Sequence, residues 1–315
     1  MTKRTSPTLL LVLCILQIAL LQASSPILAD ELKTRSVSLN FKIKMGGEIA
    51  LNQPSAVSVG TNNRIYILDG VNNRVAVFSY DGSYLFSFGS AGERQGEFDR
   101  PVGLALDTNN DVFVADTRNH RMQVFNSEGK FKYLFNLAGP KGNTPPDPTS
   151  LVVTKKELFI VDNDNHRIQV FGKEGGFLFQ WGTKGDETGE FNYPSTIASD
   201  TKRNLYVVDV FNTRVQVFDK NGVLTGSIGE WGVEQGQFVR PKGIAIRKDS
   251  EIFVSDGYMR VIEVFKKDGE YLYTLGDKER KIMRFVTPTA MHIDSNDRLY
   301  VCEMLDNSVG VYSLR

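Results

Sequence analysis

The stretch DTRNHRMQVF, Asp116 to Phe125, reads as a polar loop followed by a short strand, and it carries His120, one of three histidines in the 315-residue chain. A histidine in such a loop invites a catalytic or metal-binding reading. The rest of the chain argues otherwise. The pattern returns as DGVNNRVAVF from Asp69, DNDNHRIQVF from Asp162 and DVFNTRVQVF from Asp209. Looser copies start at Asp256 (DGYMRVIEVF) and Glu303 (EMLDNSVGVY). A reaction centre rarely needs six copies of its loop. A repeating fold is built from them, and a period of about 20–50 residues marks repeat architectures.

Prolines fix the period. Pro54, Pro101, Pro148, Pro194, Pro241 and Pro288 are spaced 47, 47, 46, 47 and 47 residues apart. Each unit opens with a short strand of small and branched residues, as in VGLALD (Val102 to Asp107), followed by a polar turn. A strand centred on an aromatic comes next, with Tyr66, Phe113, Phe159, Tyr206, Phe253 and Tyr300 in register. The Asp loop leads into a third strand ending in Phe78, Phe125, Phe171, Phe218, Phe265 or Tyr312, and a fourth strand such as YLFSFG closes the unit. Short β-branched and aromatic strands between turn signals, with no sustained helical periodicity, predict an all-β fold. Four strands per unit predict a six-bladed β-propeller of four-stranded blades. The sixth unit lacks a fourth strand, and the orphan FKIKMG (Phe41 to Gly46) matches that strand's spacing. The N-terminal strand is therefore expected to complete the last blade and remove an exposed seam.

The unit P-x-G-L-A-L-D … V-F-V-A-D-T-R-N-H-R-M-Q-V-F resembles the NHL repeat. The resemblance covers Phe41 to Tyr312, and is closest in the second, third and fourth units. It implies a six-bladed propeller. It implies no single activity, because NHL propellers include adaptors, RNA binders, sensor domains and an amidating lyase, and fold does not decide function.

The first residues differ from the rest. Lys3 and Arg4 precede an apolar run from Leu9 to Leu21 and the small-residue exit PILA, the order of a secretory signal peptide over residues 1–29, cleaved after Ala29. The alternative is an uncleaved anchor, although Gln17 and Gln22 leave the run short for a membrane span of about 20 residues. Residues 30–315 are then one exported propeller domain, periplasmic or extracellular, with no membrane span. Cleavage removes two of the 37 basic residues, leaving 35 against 37 acidic, so no basic field favours nucleic acid. Cys302 is the one cysteine of the mature chain, so no intrachain disulfide is expected.

The repeated polar residues read as architecture. His120 and His166 share a position with Asn73 and Thr213, which points to a turn-filling hydrogen bond. Each loop Asp precedes an Arg five residues on (Asp69 and Arg74, Asp116 and Arg121, Asp162 and Arg167, Asp209 and Arg214), a local brace whose guanidinium opposes calcium binding. GERQGEF, GDETGEF and GVEQGQF lack the Lys-Ser/Thr ending of phosphate loops and read as connectors. Phe98, Phe191, Phe238 and Phe285 read as plugs between blades, and Trp181 and Trp231 as packing residues.

An enzymatic propeller needs chemistry at its axis. Alternation along the first strands places Ala56, Ser58, Gly103, Ala105, Ser150, Val152, Thr196, Ala198, Gly243, Ala245, Ala290 and His292 toward the channel. His292 alone can ligate a metal, a weak candidate, since catalytic zinc takes three protein ligands. Asp107, Asp200 and Asp294 could serve a calcium site but read as turn residues. No nucleophile elbow or haem-attachment motif appears, and no cofactor is called for.

Departures from the repeat carry the functional reading. Two residues after the loop acid, NHL repeats commonly hold a small residue, whereas this chain holds Val71, Arg118, Asp164, Phe211, Tyr258 and Leu305. In a closed ring, blades four, five, six and one are consecutive. Phe211, Tyr258, Leu305 and Val71 then form one apolar arc, joined by Val210, Met259 and Met304, with Arg100, Tyr193, Arg240 and Lys242 nearer the axis. Such an arc beside Arg and Tyr suits docking of another extracytoplasmic protein or peptide. The expected function is a non-catalytic recognition scaffold. The alternative is a hydrolase or lyase with a channel metal at His292.

Overall fold

The second strand of each unit is apolar along its length because both of its faces are covered. In Val112–Asp116 every residue is buried, and the same holds for Ile65–Asp69 and Leu205–Asp209. The computed structural model describes residues 33–44, 49–137, 144–248 and 250–314. The expected signal segment 1–29 and its expected cleavage point lie outside the described residues. Thr34–Arg315 forms one unit, an all-β propeller of six blades.

Blade 1 pairs Pro54–Val59, Ile65–Asp69, Arg74–Phe78 and Tyr84–Phe88 in order from the axis outward. Blades 2 to 5 repeat this antiparallel order, beginning at Gly103, Pro148, Pro194 and Pro241. Blade 6 takes its inner three strands from Pro288–Ile293, Arg298–Glu303 and Ser308–Ser313. Its outer strand is Ser38–Ile43, which pairs antiparallel with Ser308–Ser313, Phe41 opposite Val311. The pairing strand thus starts before the expected Phe41. One further strand precedes it: Thr34–Ser36 runs parallel to Tyr271–Gly276 and adds a fifth strand to blade 5. The inner strands touch their neighbours in sequence, and Pro288–Ile293 touches Pro54–Val59, so blade 6 lies against blade 1.

The core divides into six apolar clusters, one at each junction between blades. This corrects the expected inside-outside alternation of the first strands. The blades stand edge-on to the axis, so successive side chains point to the two flanking blades. Ala56 packs in the cluster shared with blade 2, whereas Val57 packs in the cluster shared with blade 6. The expected channel residues, Gly243 apart, line the channel, and so do the intervening ones, such as Val57, Leu104, Leu151, Ile197 and Ile244.

Phe98, Phe191, Phe238 and Phe285 are fully buried at four of the six junctions, between blades 1 and 2, 3 and 4, 4 and 5, and 5 and 6. The connectors that carry them fold back on themselves through Gly92 N–H to Phe98 O, Gly185 N–H to Phe191 O and Gly232 N–H to Phe238 O. Gly129 turns with φ 75°, and a Cβ there would lie 2.5 Å from Phe88, so the glycine admits the neighbouring blade's ring.

Phe125 ends the third strand of blade 2 and meets Phe98, Phe88 and Phe131 at ring-centroid distances of 5.6, 4.9 and 5.9 Å. Phe125→Ala leaves a cavity between blades 1 and 2. It is expected to cost about 3–5 kcal/mol in urea-denaturation stability; a loss below about 1 kcal/mol would mean the ring is not core.

Candidate functional site

The loops that shape one face are fixed by a buried carboxylate. Asp69, Asp116, Asp162, Asp209 and Asp256 end their second strands fully buried. Each accepts from the connector entering its own blade: Asn52 N–H to Asp69 (2.7 Å), Asp99 N–H to Asp116 (2.8 Å), Asp147 N–H to Asp162 (2.9 Å), Asn192 N–H to Asp209 (2.7 Å). The Arg five residues on completes the brace in four blades, at 2.7 to 3.0 Å. Arg121 also donates to the carbonyls of Glu93, Arg94 and Glu97, stitching the connector to the third strand. Blade 6 has Ser308 in place of the Arg, and Lys42 of the N-terminal strand reaches Glu303 at 2.7 Å.

The residue before that Arg turns left-handed in every blade: Asn73, His120, His166, Thr213, Arg260 and Asn307 have φ between 50° and 62°. Asn73 accepts from Arg100 N–H at 2.8 Å and Asn307 from Gln53 N–H at 2.9 Å. The two histidines do the same work with opposite protons. His166 Nδ1 accepts from Tyr193 N–H at 3.0 Å, whereas His120 Nδ1 faces the Pro146 carbonyl at 2.6 Å and must donate. Both rings act in this geometry as hydrogen-bond partners of connector backbone.

The channel encloses about 330 Å³ and includes His292. Burial pushes the His292 imidazole down to about 4, so it is neutral at physiological pH. Its ring lies 6.3 Å from that of Tyr300. The three channel acids are spent elsewhere. Asp107 caps its turn through Asn109 and Asp111 N–H and pairs with Lys173. Asp200 caps through Asn204 and meets Lys267 at 2.6 Å. Asp294 caps through Asn296 and Arg298 and accepts from Tyr80 and Tyr300. Among the described residues no three His, Cys, Asp or Glu side chains converge as metal ligands. Cys302 is buried as a free thiol at the junction of blades 6 and 1, and burial raises its pKa.

The opposite mouth, on the face of the Asp loops, collects the departures. Phe211 is 54 %, Tyr258 70 %, Leu305 63 %, Val71 44 % and Tyr193 38 % exposed. Arg100, Arg118 and Arg240 are exposed as well, and Met259, Met304 and Lys242 are half-buried. Val210 is buried in the core between blades 4 and 5 and does not join the arc. Phe211 is held on two sides: Tyr193 packs edge-on at 5.4 Å and Arg240 lies over its ring at 5.4 Å. Tyr193 in turn packs on His166 at 4.6 Å. A cavity of about 550 Å³ brings Val71, Arg100, Lys242 and Met304 together, and Arg118, Tyr258, Met259 and Leu305 lie off its wall.

Sequence reasoning missed part of that wall. The residue after each repeat proline lines it: Ser55, Val102, Thr149, Ser195, Lys242 and Thr289. Their common offset from proline was the available signal. Trp231 corrects another expectation, because it is 74 % exposed on its connector, whereas Trp181 packs on Phe159, Phe179 and Phe218.

Comparison with known proteins agrees with this geometry. NHL repeats match residues 51–78 and 98–125, and a 6-bladed beta-propeller family matches residues 146–225. The chain is a six-bladed β-propeller that carries NHL repeats. No curated protein sequence matches it. Solved structures similar in fold include a protein of unknown function from Bacteroides thetaiotaomicron (14% identity, 88% of this chain and 75% of that one, TM-score 0.67). A gluconolactonase from Xanthomonas campestris is similar at 16% identity over 84% of this chain and 87% of that one (TM-score 0.63). Virginiamycin B lyase from Staphylococcus aureus is similar at 13% identity over 82% and 80% (TM-score 0.58). At these identities the likeness is one of fold.

Among the six blades, blade 5 breaks the brace. Val261 replaces the Arg, and Asp256 is met instead by four N–H groups, from Val239, Arg240, Tyr258 and Met259. Glu263 stands where blades 2 and 4 have Gln123 and Gln216. Gln216 donates its amide to Glu190 O and to Asp209, and accepts from Gly189 N–H. Glu263 Oε1 keeps the equivalent bond from Gly236 N–H at 3.0 Å, but Oε2 finds no partner of good geometry. The nearby Thr274 hydroxyl is engaged with Tyr271. Burial, reinforced by the Asp256 charge, pushes Glu263 up to about 8.

The folded chain therefore holds a proton on Glu263 that the unfolded chain releases near the ordinary carboxylate value. Its stabilising effect is present at acid pH and is lost as pH rises toward about 8. Glu263→Gln restores the missing donor. It is expected to be more stable than wild type by about 1–3 kcal/mol at about pH 9, with the gap closing near pH 4. A gap independent of pH in urea melts would remove Glu263 as its source.

Proposed function

We propose that this chain is an exported, non-catalytic recognition propeller whose Asp-loop face docks another extracytoplasmic protein. The observation that carries the reading is Phe211. An aromatic ring more than half exposed, yet braced by Tyr193 and Arg240, loses little entropy on binding and offers a pre-organised anchor. Tyr258 and Leu305 follow on the next two blades, and Val71 on the blade after, so the apolar surface continues around the ring. No helix among the described residues is long and apolar enough to cross a membrane.

The second reading, a hydrolase or lyase centred on His292, draws support from the fold shared with a gluconolactonase and a virginiamycin B lyase. Two features weigh against it. Asp107, Asp200 and Asp294 are committed to their turns, the first two also to lysines, and among the described residues no three His, Cys, Asp or Glu side chains converge at His292.

Two measurements separate these readings. Phe211→Ala/Tyr258→Ala is expected to melt within a few degrees of wild type and to bind its partner about thirtyfold more weakly, as loss of an anchor of about 2 kcal/mol requires. Tagged protein purified from the native host, with mass spectrometry of what accompanies it, provides the comparison; equal recovery by wild type and variant counts against the docking face. Metal analysis after dialysis is expected to find less than one ion per chain, whereas a stoichiometric ion lost in His292→Ala would favour the enzyme.

A further inference from the structure

The six residues that follow the repeat prolines ring the mouth of the Asp-loop face at equivalent positions. Five are small or apolar: Ser55, Val102, Thr149, Ser195 and Thr289. The sixth is Lys242. Its stem lies against Gly257, where a Cβ would come within 3.3 Å of the lysine Cγ, so the side chain is seated. Its ammonium has neither a hydrogen bond nor an ion pair among the described residues. Partial burial and the neighbouring Arg240 charge lower its pKa, the mark of a cation without its counter-charge. Arg100 enters the same cavity from the connector between blades 1 and 2. Its backbone is held left-handed at φ 44° by the bond from its N–H to Asn73, and its guanidinium too has no protein partner among the described residues.

No Asp or Glu lines this cavity. The contrast with the other face is sharp in chemical terms: there Lys173, Lys267 and Lys248 are each neutralised by a turn carboxylate. A half-buried, unpaired cation is costly, and the other half-buried lysines among the described residues, Lys173 and Lys267, are both neutralised. The missing partner is an anion. Val71 and Met304 share the cavity wall, and the apolar arc begins beside them, so the complementary group carries apolar neighbours.

Resting on the docking reading above, we propose that the partner enters the mouth as an acidic peptide segment, a carboxylate between Lys242 and Arg100 with apolar side chains along Val71, Met304 and Leu305. The peptide form follows from extent. The unpaired cations and apolar residues run from the axis out to Arg240, Phe211 and Leu305, farther than one small ligand in a cavity of about 550 Å³ would reach.

The test is selection from a random dodecapeptide display library on the wild-type chain and on Lys242→Met/Arg100→Gln. Enrichment on wild type of peptides pairing Asp or Glu with apolar residues is expected, with loss of that acidic bias on the variant. The strongest peptide should bind wild type with at least about tenfold higher affinity than the variant, and weaken as salt rises. Its Gln-for-Glu version should bind no better than to the variant. Enrichment without acidic bias, no enrichment, or equal binding of the Gln version overturns the proposal. Displacement by free glutarate at the peptide's own affinity would assign the mouth to a small dicarboxylate, and displacement by poly(U) to nucleic acid; either overturns it. Unchanged melting of the variant shows that the fold is intact. Failure here together with an arc-dependent partner in the native host would leave the docking face standing and remove only the acidic peptide.

Discussion

Everything on the Asp-loop face depends on a charge buried where each second strand ends. A carboxylate out of water is costly unless it is paired and hydrogen-bonded. Here it finds its partners in a segment that would otherwise be loose, the connector arriving from the previous blade. The need to satisfy the charge fixes the connector, and the connectors entering blades 2, 4 and 5 carry a phenylalanine into the junction between blades. Polar satisfaction and apolar burial thus specify the same geometry. Blade 6 extends the rule to the chain's two ends, because the cation that meets Glu303 is Lys42 of the strand that completes the blade. That strand contributes hydrogen bonds, apolar contacts and the missing charge together.

Such bracing makes the face a rigid display. Left-handed residues at equivalent loop positions tie each loop to the next connector, as Asn73 does to Arg100 and His166 to Tyr193. Side chains two residues after the loop acid are free of architectural duty, and they vary from Val71 to Phe211 and Tyr258 with no effect on the ring. Architecture and recognition are separated by a spacing of one or two residues along the same loop.

The period and the aromatic registers made the fold legible, since both follow from a unit buried on two faces. The brace was legible too, because Asp and Arg recur five apart. Three things were not. The parity of the inner strands was misread because alternation normally separates core from solvent, whereas radial blades send both parities into core, as Ala56 and Val57 show. The strand Thr34–Ser36 has no repeat counterpart, and its place on blade 5 is set by tertiary contacts such as that of Arg35 with Glu251. Trp231 reads as packing because it falls just after a fourth strand, but Trp181 is the last residue of its outer strand, whereas Trp231 lies on the connector beyond Ile228. The residues proposed for docking stand out as departures from the repeat, and most are exposed. Val210 failed because exposure at its position is decided by the blade next to it.

A propeller axis is built from six equivalent strands, so chemistry there requires the equivalence to be broken. This chain breaks it twice. On the turn side the odd residue is His292, held neutral by burial. On the loop side it is Lys242, a cation among hydroxyls and small apolar groups. A neutral imidazole can accept or donate a hydrogen bond, whereas a catalytic zinc takes three protein ligands. An unpaired ammonium beside a guanidinium exerts a field in a partly dry mouth, where charge acts more strongly than in water. The channel is therefore one-ended in its electrostatics. Its active end opens onto the same face as Phe211, Tyr258 and Leu305, so charge and apolar anchors can engage a single partner at once.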